Sequence, residues 1–156
     1  MAITENLFPT GLDLETDEEL YAESEEIIGY KPAPLFDYET GDFLMNGSGQ
    51  IITADKITAY TQWCKNVIAT CRYNHDAYGD YIGIDWNAVF SAPTRDEAES
   101  IIESEISEAL ACDPYGRTEY VQSVDCEWHN SNEVTLTIKV IALDNELVTI
   151  ETVIYK

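Results

Sequence analysis

Between residues 134 and 140 every second side chain is apolar: Val134, Leu136, Ile138 and Val140 are separated by Thr135, Thr137 and Lys139. A period of two sets all four on one face of an extended strand. Such a strand cannot stand alone, because its backbone groups need neighbours and its apolar face needs a cover. The flanking sequence supplies the neighbours. Residues 121–128 alternate, with Val124, Cys126 and Trp128 opposite Asp125 and Glu127, and residues 148–155 form a third β-branched run. Asn130-Ser131-Asn132 and Leu143-Asp144-Asn145-Glu146 are turn sequences between them. Connections this short join antiparallel neighbours, which predicts a three-stranded meander. Its last strand is predicted to be an edge that pairs with another chain along Val148, Ile150, Thr152, Ile154 and Tyr155.

The cover is predicted to be helical. Across residues 54–71, Ile57, Tyr60, Cys64, Val67, Ile68 and Cys71 recur at three- and four-residue spacings, the stripe of a helix packed on a core. A second helix opens at Pro93-Thr94-Arg95-Asp96-Glu97, where Thr94 and Glu97 have the spacing of a capping box. Ala98, Ile101, Ile102, Glu105 or Ile106, Ala109 and Leu110 make its inner face, and Asp113-Pro114 ends it. Glu99, Glu103, Glu105 and Glu108 are read as its solvent surface. Upstream, residues 35–40 and 43–45 flank Thr40-Gly41-Asp42, which suits two short strands or a loose hairpin. The fold class is therefore α+β, two main helices packed on a C-terminal antiparallel meander.

Charge divides the chain in two. Over the 156 residues, 30 acidic side chains face 8 basic ones, a net charge of -22. Residues 1–30 contain carboxylates at nine positions and neither Lys nor Arg. Residues 1–33 form an acidic arm, closed by Lys31-Pro32-Ala33-Pro34, and residues 34–156 the globular domain. Two readings fit the arm: a flexible acidic tail, or a segment that orders on a neighbouring subunit through Leu12, Leu14, Leu20 and Ile27. The charge argues against nucleic acid and anionic membrane as partners, since phosphate binding needs a Lys/Arg surface. The start of the chain lacks a basic, then apolar, leader and no apolar run is long enough to span a bilayer, so synthesis in a cytoplasm is expected. Four cysteines without a CxxC pair suit reduced thiols there.

No residue pattern encodes a reaction. His75 and His129 belong to no recognisable triad, and Cys64, Cys71 and His75 lack the spacing of a zinc site, while both cysteines fit the helical stripe. Asp13, Glu15 and Asp17 echo a calcium loop without its glycine and closing glutamate. Among so many carboxylates, a pair at glycosidase spacing specifies nothing. No catalytic residue, metal or cofactor is expected.

Between the helices, Thr70-Cys71-Arg72-Tyr73 runs into Ala77-Tyr78, then Tyr81-x-Gly83-x-Asp85-Trp86 and Val89-Phe90. An acid-capped helix follows, then a meander headed by Val121-x-x-Val124. Over residues 34–156 this order resembles the XkdS-like phage and prophage proteins, relatives of the small baseplate wedge protein (sheath initiator) of contractile tails. The resemblance implies a compact α+β subunit of the virion tail baseplate. It would join larger wedge proteins around the hub and tube, and offer a β-edge from which sheath assembly starts. It also implies an interface role for Arg72, although Thr70-Cys71 stands where the better-known branch has Glu-Pro. Read from the residues alone, Arg72 is equally a cap on the preceding helix or half of an internal ion pair. Trp86 and Phe90 are core residues or interface anchors. An acidic inhibitor that mimics nucleic acid is the alternative function, with a lysozyme-like hydrolase behind it.

Overall fold

The computed structural model describes residues 29–74 and 78–156. Leu12 and Leu14, with the rest of the acidic arm before Gly29, lie outside them, as does His75. The meander forms as its pattern requires. Strand β5 (Thr118–Asn130), β6 (Glu133–Ala142) and β7 (Glu146–Tyr155) pair antiparallel in the order β5-β6-β7. Val134, Leu136, Ile138, Val140 and Ala142 of the central strand are fully buried. Opposite them on the same face stand Val121, Val124, Cys126 and Trp128 of β5 and Val148, Ile150, Thr152 and Ile154 of β7.

Two long helices cover that face. Helix α1 (Lys56–Ala69) lies over β7 and α3 (Arg95–Ala111) over β5. Asp55 caps α1 by accepting from the Thr58 amide at 3.2 Å, and Thr94 caps α3 by accepting from the Glu97 amide at 3.2 Å. Ala59, Tyr60, Cys64, Val67 and Ile68 are the buried stripe of α1, and Ala98, Ile102, Ile106, Ala109 and Leu110 that of α3. Helix α1 is shorter than its apolar periodicity suggests. Thr70 is already extended, with its hydroxyl on Asn66 O at 2.7 Å, so Cys71 lies beyond the helix end. A third helix, α2 (Trp86–Ser91), spans only six residues and is capped by Asp85 on the Ala88 amide. Six residues are too few for the period of 3.6 to stand out.

The N-terminal strands are very short. They are β1 (Ala33–Pro34), β2 (Phe36–Asp37), β3 (Asp42–Phe43) and β4 (Thr53–Ala54), with β1 paired to β4 and β2 to β3, both antiparallel. The boundary drawn after residue 33 falls within β1. Just before it, the Gly29 amide donates to Tyr115 O, Tyr30 packs edge-on to Tyr60, and Lys31 lies over the Tyr115 ring.

The two edges of the meander differ. Strand β5 carries three register shifts against β6, one between Val121 and Ser123. That shift lets Val121 and Val124, three apart, share the inner face. Strand β7 pairs with β6 without a shift from Ala142↔Glu146 to Glu133↔Tyr155. In chemical denaturation, Leu136→Ala is expected to cost about 2–5 kcal/mol, because it opens a cavity under both helices. Thr137→Ala, on the open face of the same strand, should cost less than about 1 kcal/mol.

Candidate functional site

Strand β7 has one row of backbone groups unpaired by any other strand among the described residues. Which groups those are follows from alternation. The Lys156 amide donates to Asn132 O at 2.9 Å, toward β6. Residues two apart on an antiparallel strand point their N–H and C=O the same way. The groups of Ile154, Thr152, Ile150 and Val148 therefore face β6, and those of Thr149, Glu151, Val153 and Tyr155 face outward. The side chains divide the same way. Val148, Ile150 and Ile154 are buried in the chain's own core and Thr152 is half-buried, whereas Tyr155 is 68% exposed. Of the five residues predicted to pair with another chain, four thus turn their side chains inward, and the free row of backbone groups belongs to their neighbours and Tyr155.

The C-terminal half of β7 borders a groove of about 370 Å³. Ala69, Cys71, Trp86 and Phe90 form one wall, and Val153, Ile154 and Tyr155 the other. Asn74, Asn87 and Lys156 complete its rim. The structure thus brings Trp86 and Phe90 beside the last strand, more than sixty residues away in sequence. Trp86 is buried and donates from Nε1 to Ile68 O at 2.9 Å, and Phe90 packs edge-on against Trp128 at 6.1 Å between centroids. Trp86 is therefore a core residue, while half-buried Phe90 faces both core and groove.

Arg72 is committed within the domain. Its guanidinium does not bind the last carbonyls of α1; Nε donates to Gly83 O at 3.0 Å. Nη2 lies 3.6 Å from Glu105 and Nη1 3.7 Å from Glu108, ion-pair distances on α3. Burial alone would lower the Arg72 pKa, but Glu105, Tyr73 and Glu108 outweigh it and the net shift is upward. Glu105 also accepts from the Asp85 amide at 2.9 Å, so this glutamate is a structural anchor, not solvent surface. Glu99 likewise accepts from Trp128 Nε1 at 3.0 Å. The loop closes on itself where Cys71 bridges Ile84 in parallel, and Gly83, at φ +90, leaves room for that closure. A Cβ at position 83 would meet Thr70 O at 2.6 Å.

A second arginine node leaves no mark in the sequence. Arg117 is buried and bidentate to Asp113, with Nε and Nη2 at 2.8 and 2.7 Å, and its own amide donates to the same carboxylate at 2.7 Å. Rings of Tyr60, Trp63 and Tyr115 surround the guanidinium at 5.0–5.3 Å. Asp113 reads in sequence as a helix terminator, and its four-residue spacing to Arg117 lies outside a helix, where it carries no fixed signal. Elsewhere, Leu44, Met45, Ile51 and Ile52 are exposed around the tip of the N-terminal hairpin, a second apolar surface.

Among the described residues no group of three or more His, Cys, Asp or Glu side chains could hold a metal ion. No helix among them is long and apolar enough to cross a membrane. Burial pushes the thiols of Cys64 and Cys126 up to about 12, the second also through Glu99 and Glu103. Both therefore stay protonated and unreactive at pH 8. At that pH a thiol reagent is expected to label exposed Cys112 first and Cys64 only on unfolding, as peptide mapping would register. Asp113→Ala should cost about 3–5 kcal/mol in denaturant unfolding, because it strands the buried Arg117 charge.

A family model described as contractile injection system sheath initiator matches residues 33–145. No curated protein matches the chain.

Proposed function

The chain belongs to the contractile injection system sheath initiator family, and from that premise we propose that it is a baseplate wedge subunit whose β7 edge starts sheath assembly. Membership makes it a structural component of a contractile, phage-type tail. In the finer reading it joins larger wedge proteins around the hub and tube, resides in the assembled virion, and has no catalytic role. The observation that carries this is the contrast between the two sheet edges. Bulges twist an edge away from pairing, and β5 has three register shifts. Strand β7 has none, and no Lys or Pro interrupts residues 146–155. A regular edge without Lys, Pro or a bulge is a liability in a free monomer and an asset in a subunit that adds strands from a neighbour.

Two further features support an assembly role. The exposed apolar tip of the N-terminal hairpin offers a contact surface separate from β7. The charge of -22 favours basic partner surfaces and keeps free copies apart before assembly. An acidic inhibitor would have no use for the regular edge.

Val153→Pro tests the proposal. Its amide faces outward, so proline removes a template donor without removing a bond to β6. In a particle-producing strain, tails carrying this variant are expected to have baseplates without extended sheath, with Val153→Thr behaving as wild type. Electron micrographs showing normal sheath on the proline variant would overturn it.

A further inference from the structure

The groove beside β7 is lined by Ile154, which faces the core, as half of the side chains of an added strand would. A strand pairing with β7 continues the pleat, so residues opposite Thr152 and Ile154 project to the same face as those two. On that face the helical cover stops short. Thr152 is only half-buried although its cross-strand partner Leu136 is fully buried. Beyond it, at the C-terminal end of β7, inward-facing Ile154 lines the 370 Å³ groove together with Ala69, Cys71, Trp86 and Phe90.

Its charge is the second observation. The chain has 30 carboxylates, yet none of the described residues lining this groove is Asp or Glu. Two asparagines and Lys156 supply its polar rim. The groove therefore differs from the acidic surface around it and does not suit a basic side chain. Resting on the proposed role of the β7 edge, we infer that the groove selects the incoming strand. That strand belongs to another protein and carries two apolar side chains, two residues apart, that seat against Trp86 and Phe90. Backbone pairing along Thr149, Glu151, Val153 and Tyr155 supplies attachment. The groove supplies register, because a slip of one residue would turn polar side chains into it.

The test uses the full chain and two blocked hexapeptides, Thr-Leu-Thr-Leu-Thr-Lys and Thr-Glu-Thr-Glu-Thr-Lys, titrated by amide NMR. The leucine peptide is expected to bind at least about tenfold more tightly, a modest return for two buried leucines. Ala69→Trp fills the groove from an exposed helix end, and should remove the preference while leaving residual binding of both peptides. Val153→Pro, or N-methylation of alternate amides in the peptide, should abolish binding of both. Equal binding of the two peptides, or a preference that survives Ala69→Trp, would overturn the groove assignment while the edge reading stands. Binding that survives N-methylation would overturn the edge reading with it, as would failure of both peptides to bind. Sedimentation of the free chain covers another occupant: a dimer that Ala69→Trp dissolves would mean a second copy fills the groove.

Discussion

Five side chains of β6, Val134, Leu136, Ile138, Val140 and Ala142, are shut off from solvent, and the rest of the molecule is arranged around keeping them so. A sealed row in the central strand requires a strand on each side and a layer above. Strands β5 and β7 supply the first, α1 and α3 the second. Among the described residues, three strands with helices on one face leave the other face and both edges open, and the bulges of β5 leave β7 as the regular one. The edge proposed for assembly is thus a consequence of how the core is closed. Burial of apolar area fixes the layer, and the finite width of the sheet creates the edge.

The two arginine nodes lock the helical layer over that sheet. Arg117 and Asp113 tie the segment after α3 to the start of β5 within a ring of aromatics drawn from α1 and the intervening loop. Arg72 ties the segment after α1 to Gly83 and to α3 through Glu105 and Glu108. Glu105 then holds Asp85, the residue that caps α2. The chain of contacts ends at Trp86 and Phe90, the wall of the groove beside β7. Arg72 is thus linked to the groove wall through Glu105, Asp85 and α2. A buried cation with several acceptors suits such a hub, because removing any one partner leaves charge unmet.

Much of this was legible in the sequence, for physical reasons that also mark where legibility stops. Residues 134–140 and the stripes of α1 and α3 carry their period openly, since each buries one face. The cap at Thr94 is a local signal and reads directly. Helix α2 is too short for a period, and Glu105 looks like any solvent glutamate until the loop folds back on α3. Asp113 and Arg117 are four apart outside a helix, where that spacing has no fixed meaning, and the rings around Arg117 come from positions 60, 63 and 115. The bulge in β5 did leave a trace, since Val121 and Val124 cannot share a face of a regular strand. As for the candidate site, Trp86, Phe90 and the last strand stand out separately in the sequence. Only the three-dimensional fold brings them to one groove, because long-range proximity leaves no periodic mark.

Amide hydrogen exchange on the free chain and on assembled tails tests the central claim most directly. In the free chain the amides of Thr149, Glu151 and Val153 should exchange quickly, and those of Ile150, Thr152 and Ile154 slowly. In assembled tails the first set should become as protected as the second. If those three outward amides exchange equally fast before and after assembly, β7 receives no strand and the account of its edge is wrong.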